Sequence, residues 1–207
     1  MSWEINGVTL EFDEETHTYL ADGVIVPSVT QVLKAKFGEM YKGVSESVLN
    51  KASTRGIQVH EAIETYCKTQ DAELLVQDEV RGFKFLCDRY FITPLSNEVP
   101  VLLLDNGKPI IAGRLDLLID AGDVFALGDI KTTSTLNKDY LAYQLNLYRR
   151  AFEQSYGMDI EKLYGFHLRE TKRKLVEIPI NDFLVKEILE LYKERLANKK
   201  GASLSIK

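Results

Sequence analysis

Apolar and polar positions alternate with different periods along this chain, and the changes of period mark its elements. Residues 3–12 and 18–26 form short strand-like runs broken at Gly7 and Gly23, and Ser28, after Pro27, reads as the cap of a helix. From about 54 to 68 the residues Val59, Ala62, Ile63, Tyr66 and Cys67 recur at helical spacing, and Val80, Phe83 and Leu86 do so over 78–90. Three predicted strands follow, at about 98–104, 110–119 and 124–132. They are joined by Asn106-Gly107 and Gly122-Asp123, dipeptides suited to tight hairpin turns. A helix over 138–152 carries the stripe Leu141, Leu145, Tyr148 and Phe152. Strands at 163–168 and 174–180 and an amphipathic helix over 182–198 complete the pattern.

No internal repeat, low-complexity tract or Gly/Ser-rich linker divides these elements. With 207 residues and 45% hydrophobic content the chain can bury one sizeable core, so the expectation is one domain over 1–207. Within it, 1–50 is an extension, 54–180 the core and 182–198 a C-terminal helix. The formal charge of -5 and a pI near 5.4 argue against a protein that coats nucleic acid by bulk electrostatics, so any DNA contact is local. Basic groups stand at Arg149-Arg150, along 169–174 and at Lys199-Lys200. The apolar runs are too short to span a bilayer, and the acidic N-terminus lacks the pattern of a secretion or transit signal. A cytoplasmic protein is expected, with Cys67 and Cys87 as reduced core thiols.

The candidate chemistry lies in the second hairpin. A two-residue turn at Gly122-Asp123 places Ala121 opposite Val124, and therefore Asp116 opposite Asp129 on one face. Lys131 shares that face, two residues beyond Asp129. Paired carboxylates in a partly buried site repel unless a cation intervenes, and hard oxygen ligands suit magnesium or manganese. A solvated strand face with Lys131 as a salt-bridge partner explains the hairpin alone equally well. Ile110, Ile111, Leu115, Leu117, Leu118, Val124, Phe125, Leu127 and Ile130 nevertheless make both strands nearly continuous apolar runs, as expected of burial on two faces. A three-residue turn would slip the register and point Asp116 away.

These residues resemble the PD-(D/E)XK nuclease superfamily, in particular its RecB-like exonuclease branch, which includes mitochondrial genome-maintenance and bacteriophage exonucleases. Gly113-Arg114-Leu115-Asp116 is similar to the G-x-x-D element and Asp129-Ile130-Lys131 to D-x-K. Gln144 and Tyr148 match Q-x-x-x-Y, and Arg55-Gly56 with His60 resembles the upstream helix motif. The likeness spans about 54–152 and implies an α/β fold: a restriction-endonuclease-like mixed sheet flanked by helices, preceded here by a β/α extension. Leu115 stands where the superfamily's name has Pro, and the cysteine quartet of the iron–sulfur members is missing.

The resemblance implies that His60, Asp116, Asp129 and the Ile130 carbonyl hold Mg²⁺ or Mn²⁺, with Glu98 in an outer position. Lys131 would orient the attacking water, and Gln144 and Tyr148 would assist it. DNA is the implied substrate, and Arg114, Arg149 and Arg150 are candidate contacts, with Tyr41, Lys42, Lys138 and Tyr140 nearby. A single-strand-binding or annealing protein is the implied protein partner. The chain has no Walker A loop for ATP. The expected activity is a DNA exonuclease acting on single strands or duplex ends in replication, recombination or repair. A structure-specific endonuclease and a catalytically silent DNA-binding module are the alternatives.

Overall fold

The computed structural model describes residues 1–204, with side chains up to residue 198. Four short strands come first: β1 (Ser2–Ile5), β2 (Val8–Asp13), β3 (Thr18–Ala21) and β4 (Val24–Val26). They form an antiparallel sheet in chain order. Asn6-Gly7 and Asp22-Gly23 both have positive φ at each residue, the backbone that tight two-residue hairpins require.

Helix α1 (Val29–Phe37) starts where Pro27-Ser28 predicts. The Ser28 hydroxyl accepts from the Gln31 N–H at 3.1 Å, and the Gln31 side chain accepts from the Ser28 N–H at 3.0 Å. Then come α2 (Glu46–Thr69), a 3-10 turn (Ala72–Val76) and α3 (Asp78–Tyr90). The meander is β5 (Thr93–Asp105), β6 (Lys108–Asp120) and β7 (Phe125–Lys131), followed by α4 (Lys138–Tyr156), β8 (Lys162–Arg169), β9 (Lys172–Ile178) and α5 (Asp182–Leu204). Strands β5 to β9 lie in chain order in one sheet, antiparallel except for the parallel pair β7 and β8 that the α4 crossover permits.

The sheet is thus mixed and covered on both faces, an α/β core flanked by helices with an N-terminal β extension. On one face Ile63, Phe83 and Leu86 of α2 and α3 pack on Leu117, Ile119, Ile130 and Phe166. On the other, α1, α4 and α5 pack Val32, Leu145, Phe152 and Ile188 on Val101, Leu115, Leu127 and Leu163. The small sheet buries Leu10, Phe12, Tyr19 and Val26 against Leu102 and Ala112. No helix is long and apolar enough to cross a membrane among the described residues.

One expected boundary changes. Helix α2 begins at Glu46, well before the predicted start near 54, because its first turns are exposed and carry no apolar stripe to read. Helix α4 buries the stripe Leu141, Leu145, Tyr148 and Phe152, and Gln144, Asn146, Arg149 and Ser155 are buried along with it, since both the sheet and the neighbouring helices cover it. The side chains of Lys199 and Lys200 lie outside the described residues.

Candidate metal centre

The β6–β7 ladder runs from Asp120↔Phe125 to Leu117↔Gly128, and the Ala121 N–H donates to the Val124 carbonyl at the turn. The predicted two-residue turn and register therefore hold, with Gly122 at φ +91°, and Asp116 and Asp129 are the next positions in line. There the backbones part. The Asp116 carboxylate takes over the ladder, its Oδ2 accepting from the Ile130 N–H at 2.7 Å. On the opposite edge of β6, the pairs Asn97↔Leu117 and Val99↔Leu115 bracket Glu98 and Asp116. Glu98, Asp116 and Asp129 thus form a row across three adjacent strands. Glu98 has φ +50°, a left-handed backbone that costs a non-glycine residue about 1–3 kcal/mol and persists only where surroundings impose it.

Helix α2 supplies His60 to the row. Its Nε2 lies 3.0 Å from the Ile130 carbonyl, and since a carbonyl only accepts, Nε2 carries the hydrogen. Its Nδ1 faces Asp116 Oδ2, 3.6 Å away. One ligand atom each from His60, Glu98 and Asp116 lie within 4.8 Å of one another. All three residues are half-buried. Burial raises the Glu98 pKa, and the Asp116 charge raises it further, against the pull of Arg114. An imidazole nitrogen with two carboxylates is a donor set that fits a divalent cation, and the cation would relieve this repulsion.

Asp129 is 1% exposed. Burial pushes its pKa up to about 6, with Lys131 opposing and Asp116 adding. The Lys131 ammonium forms an ion pair with Asp129, 2.5 Å from its Oδ2. Burial alone would depress the Lys131 pKa, yet the carboxylates of Asp129 and Asp116 raise it, and the side chain keeps 21% of its surface open. The buried Gln144 on α4 leaves its Oε1 without a donor among the described residues. Burial, and next the Asp116 charge, keep the Tyr148 hydroxyl protonated well beyond its ordinary range. Tyr140 feels the charges of Lys131 and Asp129.

No family model matches the chain, and no curated protein matches it. Among solved structures the chain is similar to SSO0001, known from a crystal structure, with a TM-score of 0.48 and 18% identity. That match covers 82% of this chain and 75% of the other.

Some site residues sit otherwise than expected. Glu98, expected in an outer position, is a member of the three-residue cluster, whereas Asp129 stands beside it with Lys131. The Ile130 carbonyl serves as the hydrogen-bond acceptor of His60. Arg149 is no free phosphate contact: Glu153, at 2.9 Å, and Asp182 engage its buried guanidinium. Arg150 is exposed and lines a cleft with Asp182 and Lys186. Arg114 is tied to Glu98. Arg55 bridges α2 to Glu79 of α3 and to Glu170 in the β8–β9 turn. Sequence reasoning missed Phe12 and Tyr19, which meet Arg114 beside the cluster. Their only signal is strand alternation, which any core residue shows.

Proposed function

We propose that this protein is a divalent-metal-dependent deoxyribonuclease of the RecB-like branch of the PD-(D/E)XK superfamily, acting as an exonuclease. The observation that carries the reading is the row Glu98, Asp116 and Asp129, joined by His60 at one end and Lys131 at the other. Stacking three carboxylates across adjacent, largely buried strands opposes folding, and the arrangement makes sense as a cation site. His60 Nδ1, Asp116 and Glu98 would hold Mg²⁺ or Mn²⁺, with Asp129 alongside. Such a cation, when bound, lowers the pKa of a water and offsets the charge that grows on a phosphoryl group during attack.

The chain's own residues supply orientation. Asp129 fixes the position of the Lys131 ammonium, whose side chain keeps 21% of its surface open and would orient a water or a phosphate oxygen. Ile130 N–H and its carbonyl hold Asp116 and His60 in place through one peptide segment, so the D-x-K strand orients two ligands besides supplying its own. Gln144 offers a buried acceptor that has no donor among the described residues.

The test is a time course on end-labelled single-stranded DNA in magnesium and then in EDTA, with the wild type and Asp129→Ala. Shortening that needs magnesium and disappears in the variant is expected, whereas metal-independent or undiminished cleavage by the variant sinks the assignment. Covalently closed single-stranded circles survive an exonuclease and are cut by an endonuclease. A protein that binds DNA without cutting it under any of these conditions is the silent module.

A further inference from the structure

Arg114 stands between the small N-terminal sheet and the carboxylate row. Its Nε lies 3.1 Å from Glu98 Oε2, and its guanidinium carbon lies 4.6 Å from the centre of the Phe12 ring. On the same side its terminal nitrogen approaches Met1 Sδ at 3.4 Å. Phe12 and Tyr19 are directly paired between β2 and β3, with ring centres 4.6 Å apart. Tyr19 is close enough to feel both charges: burial pushes its hydroxyl up to about 12, Arg114 draws it down and Glu98 adds to the rise. The guanidinium is thus held by a second sheet that contributes none of the three clustered ligands.

Glu98 needs such a hold. It stands on a left-handed backbone facing Asp116, whose charge repels it. Arg114 Nε engages Oε2 of that carboxylate.

We propose that Arg114 is a positioning residue. Fixed against Phe12 by the N-terminal sheet, it holds the Glu98 carboxylate beside Asp116 and His60, which makes that sheet a working part of the cation site. The inference rests on the nuclease reading only in requiring a divalent cation at these residues. Groups that orient metal ligands commonly change affinity by about 10- to 100-fold when removed. A second effect of Arg114 has the opposite sign, because its own positive charge repels a nearby cation. The direction of the change therefore separates positioning from plain neutralisation.

The experiment is calorimetric titration of the DNA-free protein with Mn²⁺, with urea unfolding of each variant alongside. Arg114→Ala should weaken Mn²⁺ binding by about 10-fold or more. Arg114→Lys should fail to restore it, because an ammonium has neither the planar face for the Phe12 ring nor the guanidinium geometry at Glu98. In a Glu98→Gln background the Arg114→Ala effect should largely vanish. Phe12→Leu keeps the small core filled and should weaken binding several-fold, a check that stands if Arg114→Ala folds poorly. Tighter or unchanged binding in Arg114→Ala, full rescue by lysine, or a loss undiminished by Glu98→Gln overturns the proposal. Wild-type binding that Asp116→Asn abolishes but Arg114→Ala and Phe12→Leu leave intact removes this inference alone. Absence of wild-type binding removes the nuclease reading with it.

Discussion

Gly113 and Tyr148 lie in such close contact that a β-carbon at position 113 would sit 2.9 Å from Cε1 of the tyrosine ring. The same atom would be 3.2 Å from Val29 Cγ2, so the ring cannot simply move into the space toward α1. The first residue of Gly113-Arg114-Leu115-Asp116 and the last of the Gln144/Tyr148 pair are therefore one packing unit. This gives a physical reason for a glycine three residues before Asp116: α4 approaches β6 closely enough to bring its tyrosine beside that carboxylate.

Gly113→Ala should consequently push the Tyr148 ring outward. Overpacking of this kind costs about 1–3 kcal/mol. Tyr148→Phe removes only the hydroxyl and should leave stability within about 1 kcal/mol of the wild type. Urea denaturation measures both, and a double variant with Tyr148→Ala should recover much of the Gly113→Ala loss. Additive losses would show that the two residues do not share the strain.

Helix α2 is tied to α3 and to the β8–β9 turn through Glu79. Burial works to raise the Glu79 pKa, but hydrogen bonds from the Glu170 N–H, at 2.8 Å, and from Arg55 outweigh it, leaving the pKa below its ordinary value of 4.5. A depressed carboxylate pKa contributes stability above the ordinary value, and the contribution disappears as pH falls through the folded value. Because Arg55 is partly open to solvent, the contribution is about 1 kcal/mol. Glu79→Gln should lower the unfolding midpoint at pH 6–7, and the gap should narrow as pH drops below about 4.5. A gap independent of pH would refute the ionic origin.

The two thiols give a third test. Burial pushes Cys67 up to about 11 and Cys87 up to about 12. At pH 8 the thiolate fractions are then roughly one in a thousand and one in ten thousand, whereas an ordinary cysteine is about one-quarter ionised. Thiol titration of the native protein should proceed on the order of 100-fold more slowly than after unfolding in urea. Immediate reaction of both cysteines in the native state would contradict their burial.

The fold was legible wherever a local rule forced one answer. Ser28 after Pro27, Asn106-Gly107 and Gly122-Asp123 each specify a cap or turn through their own chemistry, and the register of β6 on β7 followed from the last of them. The acid row was half legible: the two-residue turn aligns Asp116 with Asp129, but Glu98 joins them only through the register of β5, which contains an irregularity between Pro94 and Ser96. Arg114 read as a candidate DNA contact because its partners, Phe12 and Glu98, belong to different sheets and are remote from it in sequence. The burial of polar residues on α4 was not legible either, since periodicity carries no sign of a second layer that covers the helix.

Asn146 shows what that hidden layer requires. It is fully buried, and its amide donates to the carbonyls of Ala142, at 2.9 Å, and Pro179, at 3.1 Å. Its oxygen accepts from the Asn181 N–H at 2.7 Å, so the side chain ties α4 to the segment that launches α5. Each unpaired buried backbone group costs about 1–3 kcal/mol. Asn146→Leu abandons the Asn181 N–H and the Pro179 carbonyl, which belong to an exposed segment, and should destabilise by about 1–3 kcal/mol. Asn146→Asp keeps the acceptor for Asn181 but turns a carboxylate oxygen toward two carbonyls, and should be the more damaging change above pH 6. As pH falls and the carboxyl protonates, it regains one donor, so the Asp variant should recover stability relative to the Leu variant. Urea denaturation at pH 7 and pH 5 tests the order, and amide exchange at Asn181 should accelerate in Asn146→Leu. An aspartate variant as stable as the wild type at pH 7 would mean that these carbonyls do not face the side chain.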